Sequence, residues 1–345
     1  MQSTDLSTAP DYRHATANEV IAAFASNYAF RSAEDHELIN EMDPFRRPVR
    51  PHDLELLDYS VALGRDDLLG LSSLLGHRML MNAYETEYLF LPPAGAVEAR
   101  ESFRDYYAPE SVALGQLARP ILEHHLFNCL HERDGGGAGV RLDDLHGACI
   151  EIEGRLIDAD EQMSRAIGAL KDPRAAAVFA LAQLTCGWQA RSRALARGTT
   201  GEYADVYPAL EEFARAQASA MAGENMRARA LLKGAGLLAR PRAYWQFYLS
   251  TTLARVNNLY RLARDHGRFF DFIGALVHQA ISDQAFARTM MPALERLIGT
   301  AGSERPVQAE ASSPERSSLV TRLVAPLVEL YGLEDVAAGF LRGLA

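Results

Sequence analysis

Apolar positions along this chain recur mostly in i, i+3, i+4 sets, and runs that alternate apolar with polar residues are scarce. That periodicity predicts helices over most of the length, and helix breakers place their ends. A first helix is expected over 16–42, stopped by Asp43-Pro44 and followed by the basic, proline-rich stretch Pro44-Phe45-Arg46-Arg47-Pro48-Val49-Arg50-Pro51. Helices are expected next over 52–63 and 65–90, the latter ending before Pro92-Pro93, and over 109–131, ending at the glycine-rich run 134–139. Leu142-Asp143-Asp144 opens a helix to 157, with its carboxylates favourably placed at the positive end of the helix dipole. Further helices are predicted over 159–170, 173–197, 202–221 and 224–238. The stretch 241–298 reads as two long helices joined near His266-Gly267, and 314–344 as an amphipathic pair behind a polar loop.

About ten helices with wide apolar stripes imply an all-α fold. The expected architecture is a single large helical bundle over 52–299. An N-terminal helix and linker, 1–51, precede it; a flexible loop, 300–313, and a helical pair, 314–345, follow. A boundary near Gly198-Thr199-Thr200-Gly201 is the other division the sequence allows.

Composition narrows the function classes. The 345 residues carry 35 basic and 45 acidic side chains, a formal charge of −10, which argues against general nucleic-acid binding. Lys171 and Lys233 are the only lysines, a bias that reads as genome composition. The opening residues lack the basic and apolar segments of a secretory leader, and no apolar run is long enough to span a membrane. Cys129, Cys149 and Cys186 are three in number, far apart and without a C-x-x-C, which suits free thiols in a cytoplasmic protein.

No G-x-S-x-G, P-loop, H-E-x-x-H or repeated Glu-x-x-His is present, and no Rossmann glycine pattern follows a strand. The chemistry left is carried by histidines and carboxylates on helices. In 122–132, His125, Asn128 and Glu132 share one helix face, and His124, Asn128 and His131 an overlapping one; His146 follows past the glycine loop. A carboxylate ending one helix and an imidazole on the next suit a metal that takes mixed nitrogen and oxygen donors. The same residues also suit a solvated polar helix end. In 269–283, Asp271, Gly274, Ala275, His278 and Ser282 form a face of small and polar residues. That face offers either room for a ligand or close helix packing with His278 hydrogen-bonded to a neighbour. Asp271 and His278 are about 10.5 Å apart along the axis, too far to share one ion easily. Glu85 and Glu87, among Tyr84, Tyr88 and Phe90, point either inward as ligands or outward to water.

The segment Asn128-Cys129-Leu130-His131-Glu132-Arg133-Asp134-Gly135-Gly136-Gly137, followed by Leu145-His146-Gly147, resembles the heme-oxygenase-like di-metal oxidases and oxygenases. The resemblance implies that Glu132 and His146 are ligands, with an earlier glutamate at Glu85 or Glu87. It implies a heme-oxygenase-like bundle with extra helices, holding one or two iron ions. Asp271, His278 and Asp283 stand at unfamiliar spacing for the family's late ligands, and no histidine follows His278. A degenerate, non-catalytic chain of that fold is therefore a second expectation. Asn257-Asn258-Leu259-Tyr260-Arg261-Leu262-Ala263-Arg264-Asp265 resembles a damaged magnesium motif of class I terpene synthases, with Asn258, Arg261 and Asp265 as departures.

The leading functional expectation is a non-heme iron-dependent oxidase or oxygenase acting on a small-molecule substrate, with Glu87, Glu132, His146, Asp271 and His278 as metal ligands. The alternative is a metal-free helical binding or scaffold protein, a homodimer among its forms. The third is a terpene-synthase-like enzyme binding an isoprenoid diphosphate. Nucleic acid and membrane are not expected partners in any of the three.

Overall fold

A computed structural model describes residues 12–27, 51–55, 57–85, 107–130, 141–199, 207–239, 244, 247–299 and 322–344. Eleven α-helices and five 3-10 turns make up the regular structure of these residues, with no strand among them, so the chain is all-α. Contacts divide it into two compact units. The first comprises 1–132 with 244–258, and the second 133–243 with 259–345.

In the first unit, α1 (Ala17–Ser26) starts where Thr16 and Glu19 form a reciprocal capping box. It ends at Ser26, where Asn27 turns extended and its N–H closes back on Ala23 and Phe24; 28–42, the rest of the expected helix, lie outside the described residues. Helices α2 (Leu71–Glu85) and α3 (Pro109–Phe127) pack on each other, and α1 packs on α3. Pro109 opens α3 at a position where its missing N–H costs nothing. The helix expected over 52–63 does not form. A 3-10 turn, Pro51–Leu54, takes its start, and residues 57–64 follow an irregular path. Side chains outcompete helical bonds there: Asp58 accepts from Ser60 N at 2.9 Å, and Asn18 Oδ1 accepts from Tyr59 N at 2.8 Å.

The second unit is built on α4 (Leu142–Gly168), α5 (Pro173–Thr199), α6 (Pro208–Gly234), α8 (Phe269–Arg288), α9 (Met290–Ile298), α10 (Ala325–Tyr331) and α11 (Leu333–Leu344). Helix α7 (Ser250–Arg264) contributes its first nine residues to the first unit and the rest to the second. The breaks expected at 158 and near 222 are absent, so α4 and α6 each run through 27 residues. Nothing at Asp158 stops a helix, and a Cβ at Gly223 would meet only open space, so that glycine marks no turn. The junction at His266-Gly267 is a 3-10 turn capped by Asp265. A further break, at Thr289, separates α8 from α9.

The core of this unit joins Leu145 and Cys149 of α4, Leu210 and Phe213 of α6, Leu276 and Val277 of α8, and Val336 and Phe340 of α11. Helix α8 is central, packed by α4, α9 and α11. Among the described residues, no helix is long and apolar enough to cross a membrane.

Candidate functional site

His146 lies in the first turns of α4, between Leu145 and Gly147. The turn is fixed by Asp144, whose carboxylate accepts from Arg141 N at 2.7 Å. Leu145 and Cys149 are anchored in the core, so the ring between them is held half-buried. Its Nε2 is shielded from solvent and has no hydrogen-bond partner. An imidazole nitrogen buried without a partner is uncommon, because desolvating it is unfavourable. Such an atom has the chemistry of a metal ligand. Glu87 and Glu132 lie outside the described residues, as do His131 and the glycine run, and the side chain of Glu85 is likewise not described.

Asp271 and His278 have a different setting. Asp271 is buried and accepts from Arg342 Nε at 2.8 Å, with Nη2 at 3.5 Å. His278 Nδ1 donates to the Leu344 carbonyl at 2.7 Å. Both partners belong to α11, which lies so close that a Cβ on Gly274 would fall 2.1 Å from the Phe340 carbonyl oxygen. Of the two uses open to this small-residue face, the structure adopts helix packing. The space between its small side chains is filled by α11 backbone. Among the described residues, no three histidine, cysteine, aspartate or glutamate side chains gather as a metal site.

The histidines of α2 and α3 divide sharply. His124 is exposed, whereas His125 is buried, with Nδ1 donating to the Val61 carbonyl and Nε2 accepting from Ser72 Oγ at 2.8 Å. The His125 backbone carbonyl also accepts from Leu63 N at 2.8 Å. His125 thus fastens the irregular segment 57–64 to α3, and burial lowers its pKa. His77 is buried more deeply, and desolvation lowers its pKa to about 3. Asn257 Nδ2 donates to the His77 carbonyl at 2.7 Å, and Asp265 accepts from Gly267 N at 2.9 Å. The two ends of the terpene-synthase-like stretch therefore serve the fold, one bracing α2 and the other capping a turn.

One charged group had no signal in the sequence. Arg191 of α5 pairs with Asp283 of α8 and lies 3.8 Å from Glu224 of α6. The three come from separate helices, so no periodicity or motif links them.

No protein-family profile matches the chain. Over 337 residues, it is 26% identical to the nitrosourea synthase of Streptomyces achromogenes subsp. streptozoticus. The match covers 94% of this chain and 70% of that protein. The chain is thus similar, through both of its compact units, to an enzyme that makes a small molecule.

Proposed function

We propose that this protein is a non-heme iron-dependent oxidase or oxygenase acting on a small molecule in specialised metabolism, on a heme-oxygenase-like bundle. The observation that carries the reading is His146 Nε2, a buried nitrogen lacking a partner, at the position that the family resemblance gives to a ligand. Similarity to a nitrosourea synthase along nearly the whole chain supports it. His146, Glu132 and Glu87 would hold iron, with Asp271 and His278 flanking. Iron bound there would supply the binding and activation of O₂. The chain's own part is to orient these groups and keep water away. Leu145 and Cys149 fix His146 from either side, and the surrounding core is apolar. Arg342 holds the Asp271 carboxylate in place, and the Leu344 carbonyl fixes the His278 ring by accepting from its Nδ1. Three buried, unbridged cysteines fit a cytoplasmic setting.

The second reading is a non-catalytic chain of the same fold. The engagement of Asp271 and His278 by α11 favours it, because a site relying on His146, Glu132 and Glu87 alone has fewer ligands.

Anaerobic loading with Fe(II), desalting and metal analysis tests the choice, followed by an optical spectrum on exposure to O₂. Retention of about one or two iron per chain with a new charge-transfer band is expected. Glu132→Ala and His146→Ala should each lose iron with helicity unchanged. Wild-type protein without retained iron refutes the oxidase reading, and His146→Ala with undiminished iron refutes the ligand assignment.

A further inference from the structure

Ser72 lies half-buried in the first turn of α2, with its Oγ 2.8 Å from Nε2 of the buried His125 of α3. Gly76, one turn further along α2, allows this approach. A Cβ there would lie 3.0 Å from Leu126 Cδ2 and 3.3 Å from Tyr59 Cε1. The Tyr59 ring packs on the imidazole, with centroids 4.6 Å apart. The Val61 carbonyl can only accept, so His125 Nδ1 carries the proton and Nε2 of the neutral ring accepts from the Ser72 hydroxyl. Burial lowers the His125 pKa and favours that neutral form. A hydroxyl, a base within hydrogen-bond reach of it and a third group that orients the base thus follow one another in space.

The surroundings of this pair suit a reacting carbonyl. Leu74 N is the first amide of α2 to bond back, to the Gly70 carbonyl at 3.1 Å. Before it, the N–H groups of Leu71, Ser72 and Ser73 have no acceptor among the described residues. Free N–H groups at a helix start stabilise developing negative charge, and one of these belongs to Ser72 itself. Two large apolar side chains of the same corner stand out in solvent, Leu69 at 74% exposure and Val61 at 58%. Leu69 directly precedes the helix start, where an apolar residue often packs back onto the first turns. Its exposure leaves it open to an apolar ligand instead.

We propose that Ser72 is a nucleophile that hydrolyses carboxylic esters with a short aliphatic acyl group, with His125 as its general base. Ser72 Oγ bonds to the ester carbonyl carbon as its proton passes to His125 Nε2. The bond from that carbon to the alcohol oxygen then breaks, and the alcohol leaves with the proton from Nε2. A water, deprotonated by Nε2, attacks the acyl-serine; the carboxylic acid departs and Ser72 regains its proton. Water is the only co-reactant, and nothing is oxidised or reduced. Leu69 and Val61 receive the acyl chain, and the free N–H groups of the first turn receive the oxyanion. The group orienting His125 is a carbonyl, and the carboxylates of Asp58 and Asp67 act on the ring without a hydrogen bond to it. The imidazolium formed in the first step is therefore weakly supported, which restricts the site to esters with good leaving groups and excludes amides. None of the residues proposed to hold iron takes part, so this activity does not depend on the metal.

The test uses the intact, iron-free chain, with p-nitrophenyl butyrate as substrate and a fluorophosphonate as trap. Wild type should release nitrophenolate with saturation kinetics and take up one phosphonyl group, mapped to Ser72 by peptide mass spectrometry. Ser72→Ala should lower kcat/KM about a hundredfold or more and take up no label, with circular dichroism unchanged. His125→Gln should lose activity to a similar extent. If that variant does not fold, Ser72→Ala decides alone, since it removes only one oxygen from a half-buried site. His124→Gln removes an exposed imidazole next in the chain and should keep the wild-type rate, which separates the pair from hydrolysis by surface histidines. Leu69→Ser should raise KM for the butyrate several-fold and leave that for the acetate unchanged. No saturable hydrolysis, a rate retained in Ser72→Ala, a label on another residue, a rate lost in His124→Gln, or an unchanged butyrate KM in Leu69→Ser would each overturn the proposal.

Discussion

Substituting Gly343 by alanine probes the closest contact between α8 and α11. A Cβ at this position would lie 1.8 Å from the Asp271 carbonyl oxygen, 2.6 Å from its carbon and 2.9 Å from Ala275 N. All three atoms are backbone, so no side chain can swing away. Relief requires the two helices to part by more than about an ångström, and overpacking of this kind costs about 1–3 kcal/mol. Parting also stretches the Arg342–Asp271 and His278–Leu344 bonds, which span the same seam. Asp271 is buried, and leaving it short of a partner adds about 1–3 kcal/mol. Some of the separation serves both terms, so we expect a net loss of roughly 3 kcal/mol. The assay is equilibrium urea denaturation followed by circular dichroism. Gly154→Ala is the matched control: it too is a glycine inside a long helix, but a Cβ there meets nothing within 4 Å. That control should gain about 0.5–1 kcal/mol from helix propensity. The opposite signs are the substance of the prediction. If Gly343→Ala matches wild type, or both variants shift alike, the close approach of α8 and α11 is wrong.

Two further outcomes follow from buried groups. His77 has a folded pKa of about 3 against an ordinary 6.5, so its contribution is complete above pH 6.5 and is lost as pH falls toward 3. Glu224, raised from 4.5 to about 7, acts oppositely between those values, since the folded chain keeps a proton there that the unfolded chain releases. The informative quantity is therefore the difference between His77→Phe and wild type in urea stability from pH 6.5 to 4. Wild type should lose about 1.4 kcal/mol relative to His77→Phe for each pH unit of the fall, since only wild type carries the imidazole that protonates on unfolding, and a constant difference would contradict a neutral, buried His77. Arg288 Nη1 lies 3.2 Å from the buried Glu153 carboxylate. Arg288→Ala should cost about 0.5–1 kcal/mol, by removing one charge-assisted bond to a buried carboxylate, and Arg288→Ala with Glu153→Gln should cost less than the sum of the two single changes in the same urea assay.

Helix starts were the most legible features. Thr16 with Glu19, and prolines 109 and 173, sit at or beside the first residues of their helices because local chemistry satisfies or removes the free N–H groups there, whereas the helix expected from 202 starts only at Pro208. Helix ends were less so. The irregular path over 57–64 depends on neighbours far along the chain, Asn18 and His125.

Of the candidate metal ligands, the pattern marked His146, and a partnerless buried Nε2 now distinguishes it. The face bearing Asp271 and His278 was readable only as small and polar, a composition that serves a cavity and a tight helix seam equally well. Gly339 and Gly343 decide it, by letting a backbone 66 or more residues away fill the space. The all-α class was thus settled by sequence alone, because helical periodicity and capping are local properties of the chain. Tertiary structure alone brought Glu224 and Asp283 to Arg191 and turned the α8 face into a seam, because both arrangements join helices whose spacing in sequence carries no record of their contact.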